Sequence, residues 1–342
     1  MTDIPETHIE QHWQSLMALS EPGQVLAADS PYATVKNPKW YGSRGPTAER
    51  RQLHDQILAD FLAEKPDVGH DRIAVIMAGP PGAGKTTIRK QVLDQIGATE
   101  DHFHIIDADN FKDALLQHAI DDGTYETDIK PPEVKQLETQ GELFYPRELA
   151  SLVHEESSDL ARRARKDAMV SGENFVLDGV LSNPDKAVQL GQDLAAAHYR
   201  VHVVDVEVSE AQSRAAVARR WREGRIAAAQ GIDTLGGRIV PNTVLTPLFH
   251  TMKQTTMPHE ASQQLATTGP TIESFWRWRR PEQDWDHPIL ETSMTRATPD
   301  SDLAPRKPPM PTVTSTVHPP TPDTLQRPRQ RPTTPANRAR GR

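Results

Sequence analysis

The sequence predicts an α/β fold: a parallel sheet flanked by helices and organised around a phosphate-binding loop. Three observations predict it. Strand-like apolar runs at Ile73–Ala78, His104–Ile106, Phe175–Leu177 and Val201–Val208 are separated by helix-patterned segments, as parallel strands joined by crossover helices require. The first run leads directly into Gly79-Pro80-Pro81-Gly82-Ala83-Gly84-Lys85-Thr86-Thr87. Acids follow the ends of the second and third runs, where open parallel sheets place their ligands.

Four regions follow along the chain. Residues 1–68 read as a helical N-terminal extension. Its second helix, around Thr47–Glu64, sets Leu53, Ile57, Leu58, Leu62 and Ala63 at helical spacing. The segment PYATVKNPKWYGSRGP between its helices reads as a loop. Residues 69–255 carry the strand–helix alternation. Within them, Asp121–Glu142 is polar and contains Pro131-Pro132, so it reads as a loop or flap. Residues 256–289 form a C-terminal extension, and 290–342 a Pro/Arg-rich tail. From 301 onward the chain holds 10 of its 29 prolines and a net charge of +6, leaving −14 for the rest. Such a tail buries too little apolar surface to offset its ordering entropy and is expected to be disordered, with its partner unidentified.

Composition narrows the function classes. A net charge of −8 argues against nucleic-acid binding by the core. The absence of cysteine excludes disulfides, thiolate zinc sites and cysteine nucleophiles. The acidic start, MTDIPETHIEQHWQSL, does not read as a secretory signal, and no apolar run of 18 residues predicts a membrane span. The expected home is the cytoplasm.

The loop at 79–87 is the strongest motif. Its glycines let the backbone approach a ligand, its amides form an anion nest, and the following helix adds its positive end. Lys85 should reach the β- and γ-phosphates of ATP and Thr86 should ligate Mg²⁺. No Asn-Lys-x-Asp element for guanine is present. In HIIDADNFK, Asp107 and Asp109 lie two apart. One can accept a proton from an attacking hydroxyl, and either can cap the helix that begins near Asn110. Asp178, ending FVLDG, reads as a Mg²⁺-linked or substrate-contacting acid, or as the start of an Asp-Gly turn. Asp205, in mid-strand, ranks below it as a metal-linked acid. Six arginines crowd residues 213–240, where a lid would bring positive charge to a migrating phosphate. Arg238 follows Gly236-Gly237 and is well placed to bend inward.

Together these motifs resemble the zeta toxin family of P-loop kinases. The resemblance rests on GPPGAGKTT at 79–87, IIDADNFK at 105–112, the helix at 154–172, NFVLDG at 174–179 and GGRIVP at 236–241. It implies a P-loop kinase domain over 69–255 that phosphorylates the 3′-hydroxyl of UDP-N-acetylglucosamine and so blocks cell-wall synthesis. Asp109 matches the family's base, Lys85 the loop lysine, and Arg220 and Arg238 the transition-state arginines, with Arg225 a rival for the first. Asp178 matches the strand-end acid, and Glu155 or Glu156 the substrate-contacting glutamate. The family's threonine and arginine beyond the acid-glycine pair are replaced here by Val180 and Ser182-Asn183. Family toxins are silenced by a small helical antitoxin. An acceptor other than the nucleotide sugar, or an ATP-binding regulatory module with a docking tail, are the alternative readings.

Overall fold

A computed structural model describes residues 6–250, 255–269, 271–298 and 301–306. The chain begins with α1 (Glu6–Leu19), then β1 (Tyr41–Gly42) and β2 (Gly45–Pro46), an antiparallel pair, and α2 (Ala48–Ala63). The central part runs β3 (Ile73–Ala78), α3 (Lys85–Gln95), β4 (His104–Asp107), α4 (Ala108–Asp121), α5 (Pro132–Thr139), α6 (His154–Ser171), β5 (Phe175–Asp178), α7 (Pro184–Ala196), β6 (Arg200–Glu207) and α8 (Glu210–Ala229). It continues through α9 (Asn242–Leu245), α10 (Met257–Ala266), β7 (Ile272–Arg279), β8 (Ile289–Arg296) and β9 (Leu303–Pro305).

Seven strands form one sheet in the order β4-β5-β3-β6-β7-β8-β9. From β4 to β7 neighbouring strands run parallel; β8 and β9 pair antiparallel at one edge. All four expected strands are present. β3 reads IAVIMA and is buried on both faces, as a central parallel strand must be. Val75, Met77, Val204 and Val206 pack with Ile88, Val92 and Leu93 of α3. The alternate residues Ala74, Ile76, Val201 and Val203 share a core with α4, α6, α7 and α10 on the other face.

The structure redraws several expected boundaries. Asp121–Glu142 is no open loop. It holds a π-helical turn at Tyr125–Ile129 and the helix α5, and it buries Tyr125, Ile129 and Val134. Pro132 opens α5 because its missing N–H has no partner to lose in a first turn. The buried Lys130 ammonium is satisfied by Glu126 and Glu138. Segment 1–68 is not a separate body either: Ile9, Leu16, Leu26, Trp40, Ile57 and Leu58 belong to the same core as Ile76 and Phe175. The sheet also crosses the boundaries drawn at 255 and 289. β7 extends the parallel sheet, while β8 and β9 lie in the stretch expected to be a disordered tail. In β7, IESFWRWR, Phe275 is buried in one core and Trp276 and Trp278 in the other, while Glu273, Arg277 and Arg279 are only partly buried. Residues 307–342, the rest of the expected tail, lie outside the described residues. Among the described residues no helix is long and apolar enough to cross a membrane.

Candidate functional site

At the end of β3 the chain turns through Gly79 at φ +145°. A Cβ there would meet the Val206 carbonyl oxygen at 2.5 Å, so only glycine fits. Gly84, at φ +78°, opens α3 without a capping side chain, which leaves the helix's first N–H groups open to an anion. Gly79, Pro80 and Ala83 are buried; Pro81, Gly82, Gly84 and Lys85 are partly so; Thr86 and Thr87 are exposed. The Lys85 ammonium donates to the carbonyls of Gly79 (3.0 Å) and Pro80 (3.3 Å). Loss of water pulls its pKa below the ordinary lysine value, while Asp178, Asp107 and Asp109 act the other way. The lysine and the three acids therefore share one electrostatic neighbourhood.

Strand register explains that neighbourhood. Asp178 lies level with Met77 and Asp107 level with Asp178, so the acids stand one and two strand spacings from β3, about 5 and 10 Å. Of the two acids in the Asp-x-Asp pair, Asp107 takes the capping role. The Asp107 carboxylate accepts from the Asp109 N–H (2.9 Å) and caps α4. Burial, then the charge of Asp109, push its pKa up. Asp109 sits in the first turn of α4 and pairs with Lys112 and Arg238, each at 2.9 Å. Burial acts to raise its pKa, but Lys112 and Arg238 outweigh it and hold the carboxyl below the usual range. Asp178 receives Arg89 on Oδ2 at 2.7 Å, which leaves Oδ1 for another cation; Arg89 also holds Glu100.

Arg238 does bend inward. Gly236 and Gly237 thread a passage where a Cβ would lie 2.3 Å from Tyr145 and 1.9 Å from the Trp221 carbonyl. Beyond it, Arg238 reaches Asp109 and also Asp113 at 2.5 Å. Arg147 steadies the passage by donating to the Gly236 carbonyl (2.9 Å) and pairing with Asp113 and Asp233. Arg220 is exposed on α8 and makes no hydrogen bond or ion pair among the described residues. Its charge nonetheless acts on Lys85 and Asp109.

Three expected residues stand elsewhere. Glu156 is fully buried, gripped by Arg50 (2.6 and 2.9 Å) and His54 (2.6 Å), so it has no free face for substrate. Arg225 is buried against Glu148 and the Leu143 carbonyl, which removes it as a rival to Arg220. Asp205 points to the face opposite α3. There it forms a buried cluster with Glu207 and His259, residues of metal-binding type. Arg277 lies 3.7 Å from both carboxylates and supplies positive charge to them. The replaced family positions also have local work: the Val180 carbonyl accepts the Gly79 N–H (3.2 Å), and Asn183 caps α7.

The family model of the zeta toxins matches residues 60–272. The chain belongs to the zeta toxin family. Its fold is that of a P-loop phosphotransferase. The AvrRxo1-ORF1:-ORF2 complex with ATP shares the fold at a TM-score of 0.51 and 16% identity, over 77% of this chain and 71% of that one. The PezAT chromosomal toxin–antitoxin system of Streptococcus pneumoniae gives a TM-score of 0.41 and 15% identity, over 71% of this chain and 81% of that one. No curated protein sequence matches the chain. Sequence reasoning missed Lys112, Asp113, Arg147, Ser213 and Arg280, which touch the phosphate loop or the Asp109–Arg238 group. Lys112 stood in the quoted motif, and its position three residues after Asp109 was the available signal. Arg280 lay past the boundary drawn at 255.

Proposed function

We propose that this chain is a kinase toxin that transfers the γ-phosphate of ATP to a sugar hydroxyl of a nucleotide-linked acceptor. UDP-N-acetylglucosamine, phosphorylated on its 3′-hydroxyl, is the acceptor the family implies. The observation that carries the reading is that Asp109 acts electrostatically on Lys85 and pairs with Arg238, which brings the three together near the carboxyl ends of the strands. The loop amides and Lys85 hold the β- and γ-phosphates. Asp109 orients the acceptor hydroxyl and takes its proton. Arg238 and Arg220 carry charge that builds on the migrating phosphoryl group. The exposed Thr86 hydroxyl and Oδ1 of Asp178 fit Mg²⁺, which when bound neutralises charge on the phosphate oxygens. Silencing by a small helical antitoxin, as in the family, belongs to the same reading.

A second acceptor class is favoured by one observation. Glu156, one of the two glutamates matched to the sugar contact, is consumed by Arg50 and His54, which leaves only the exposed Glu155 for that role and narrows the contacts open to an acceptor. A nucleoside, a dinucleotide or an antibiotic hydroxyl fits that narrower set. Transfer from γ-labelled ATP to a panel containing UDP-N-acetylglucosamine and these alternatives decides between them. A chain that binds ATP and labels none of them would instead be a regulatory ATP-binding module. Near-normal transfer by Lys85→Ala would overturn the loop assignment.

A further inference from the structure

We infer that Arg280, which follows β7 and lies beyond the segment matched by the family, is a positioning residue for the phosphate loop. Its side chain is 4% exposed. Nε donates to the Ala83 carbonyl at 2.8 Å, and Nη2 to the Gly84 carbonyl at 3.3 Å. The guanidinium packs over Trp285, 5.1 Å from the ring centroid, and donates to the Trp285 carbonyl.

The consequence follows from peptide geometry. The structure contains no cis peptide among the described residues. In a planar trans peptide the carbonyl of one residue and the N–H of the next point in opposite directions. Holding the Ala83 and Gly84 carbonyls on the Arg280 side therefore aims the Gly84 and Lys85 amides the other way. Three further loop carbonyls are held too: Ser213 donates to Pro81 (2.7 Å), and Lys85 to Gly79 and Pro80. Arg280 is the member of this set that acts at the junction of loop and α3, where a phosphate sits. Gly84 takes φ +78°, which favours glycine, and leaves room for the guanidinium to lie close against the backbone there. The fixed charge beside the loop adds to the field an anion meets.

The inference rests on reading the loop as an ATP site, and the test separates the two. Affinities for ATP and adenosine are measured by calorimetry and competition in wild type, Arg280→Ala and Arg280→Lys, with melting temperature recorded alongside. Positioning predicts that Arg280→Ala weakens ATP about tenfold or more, while adenosine, which lacks phosphates, is unaffected. Arg280→Lys should recover part of the loss, because an ammonium can hold one carbonyl but cannot fork across two. Unchanged ATP affinity in the folded fraction of Arg280→Ala, or equal losses for ATP and adenosine, overturns the inference. If Arg280→Ala does not fold, Arg280→Lys decides: lost ATP affinity supports the role, and wild-type affinity overturns it. A wild type that binds no ATP overturns the ATP reading itself, and this inference with it.

Discussion

Arg238 and Asp109 form an ion pair of 2.9 Å between residues 129 positions apart in the chain. Lys112 and Arg238 together hold the Asp109 carboxyl below its usual range, which makes it a weak proton acceptor in the free protein. Under the proposed kinase reading, a γ-phosphate bound at the loop would compete for the same guanidinium, so Asp109 would lose one stabilising cation and gain basicity as the phosphate arrives. In a loose phosphoryl-transfer transition state the hydroxyl proton leaves late, so a base of modest strength suffices.

Arg238→Ala should lower turnover by roughly 10²-fold or more, the scale for removing one preorganised donor to a developing charge. ATP affinity should change much less. Loss of the cation also raises the Asp109 pKa, so the acid limb of the turnover profile should move to higher pH. Single-turnover rates across pH, with ATP affinity measured in parallel, check both statements. Equal losses of affinity and turnover would make Arg238 a ground-state phosphate ligand.

Much of this site is legible in the sequence because its parts are local. An apolar run, a glycine-rich turn and a lysine are adjacent letters, and Gly236-Gly237 announces a bend before Arg238. β3 is legible because burial on both faces leaves an unbroken apolar run, β6 by its repeated valines, and β4 and β5 because short apolar runs end in an acid. What escapes is pairing at a distance. Nothing near Glu156 reveals that Arg50, 106 residues earlier, will claim it. The helix α5 is masked by polar residues whose charges meet only in three dimensions, as at Lys130. β7 and β8 are hidden by alternation with charge, and β8 also by the proline-rich composition that follows it.

Glu156 should prove structural. Burial alone would raise its pKa, but hydrogen bonds from His54 and Arg50 carry it from 4.5 down to about 2. A carboxyl depressed on folding adds stability above its unfolded pKa and loses it as pH falls through the folded value. The contribution is thus complete near neutrality and fades from about pH 4.5 toward pH 2. Glu156→Ala leaves Arg50 buried and uncompensated and should cost about 3–5 kcal/mol. Urea unfolding at pH 7 and pH 3 should show the difference from wild type shrinking at the lower pH. A stable Glu156→Ala protein with a raised KM for acceptor would return this residue to the substrate site.

The C-terminal strands should matter to the fold. β8 pairs with β7 from Ser274 to Arg279 and packs Leu290 and Met294 onto the two cores. A chain ending at residue 288 loses β8 and β9 and exposes the edge of β7. Its melting temperature should fall by several degrees or more relative to a chain ending at 306, and it should aggregate more readily. Equal melting temperatures would show that these strands add little.

Asp109 and Asp107 provide the sharpest test because the proposed function gives them different roles while they stand two residues apart. Asp107 caps α4 through a side-chain oxygen, and asparagine caps about as well as aspartate. Asp107→Asn should therefore stay folded and active, whereas Asp107→Ala should lose about 1 kcal/mol of stability. Asp109→Asn removes the charge facing Lys112 and Arg238 but keeps the side chain's size. The loop and Lys85 are untouched, so ATP should still bind, and slightly tighter if a carboxylate near the γ-phosphate is repulsive. An amide can still hydrogen-bond the acceptor hydroxyl, so acceptor KM should shift only a few-fold. Turnover should fall about 10²-fold or more, the usual scale for a positioned acid–base group. Stability, ATP affinity and turnover measured for both asparagine variants separate the outcomes. A folded Asp109→Asn protein with near-normal turnover would remove Asp109 as the base and leave its pairing with Arg238 as a structural contact alone.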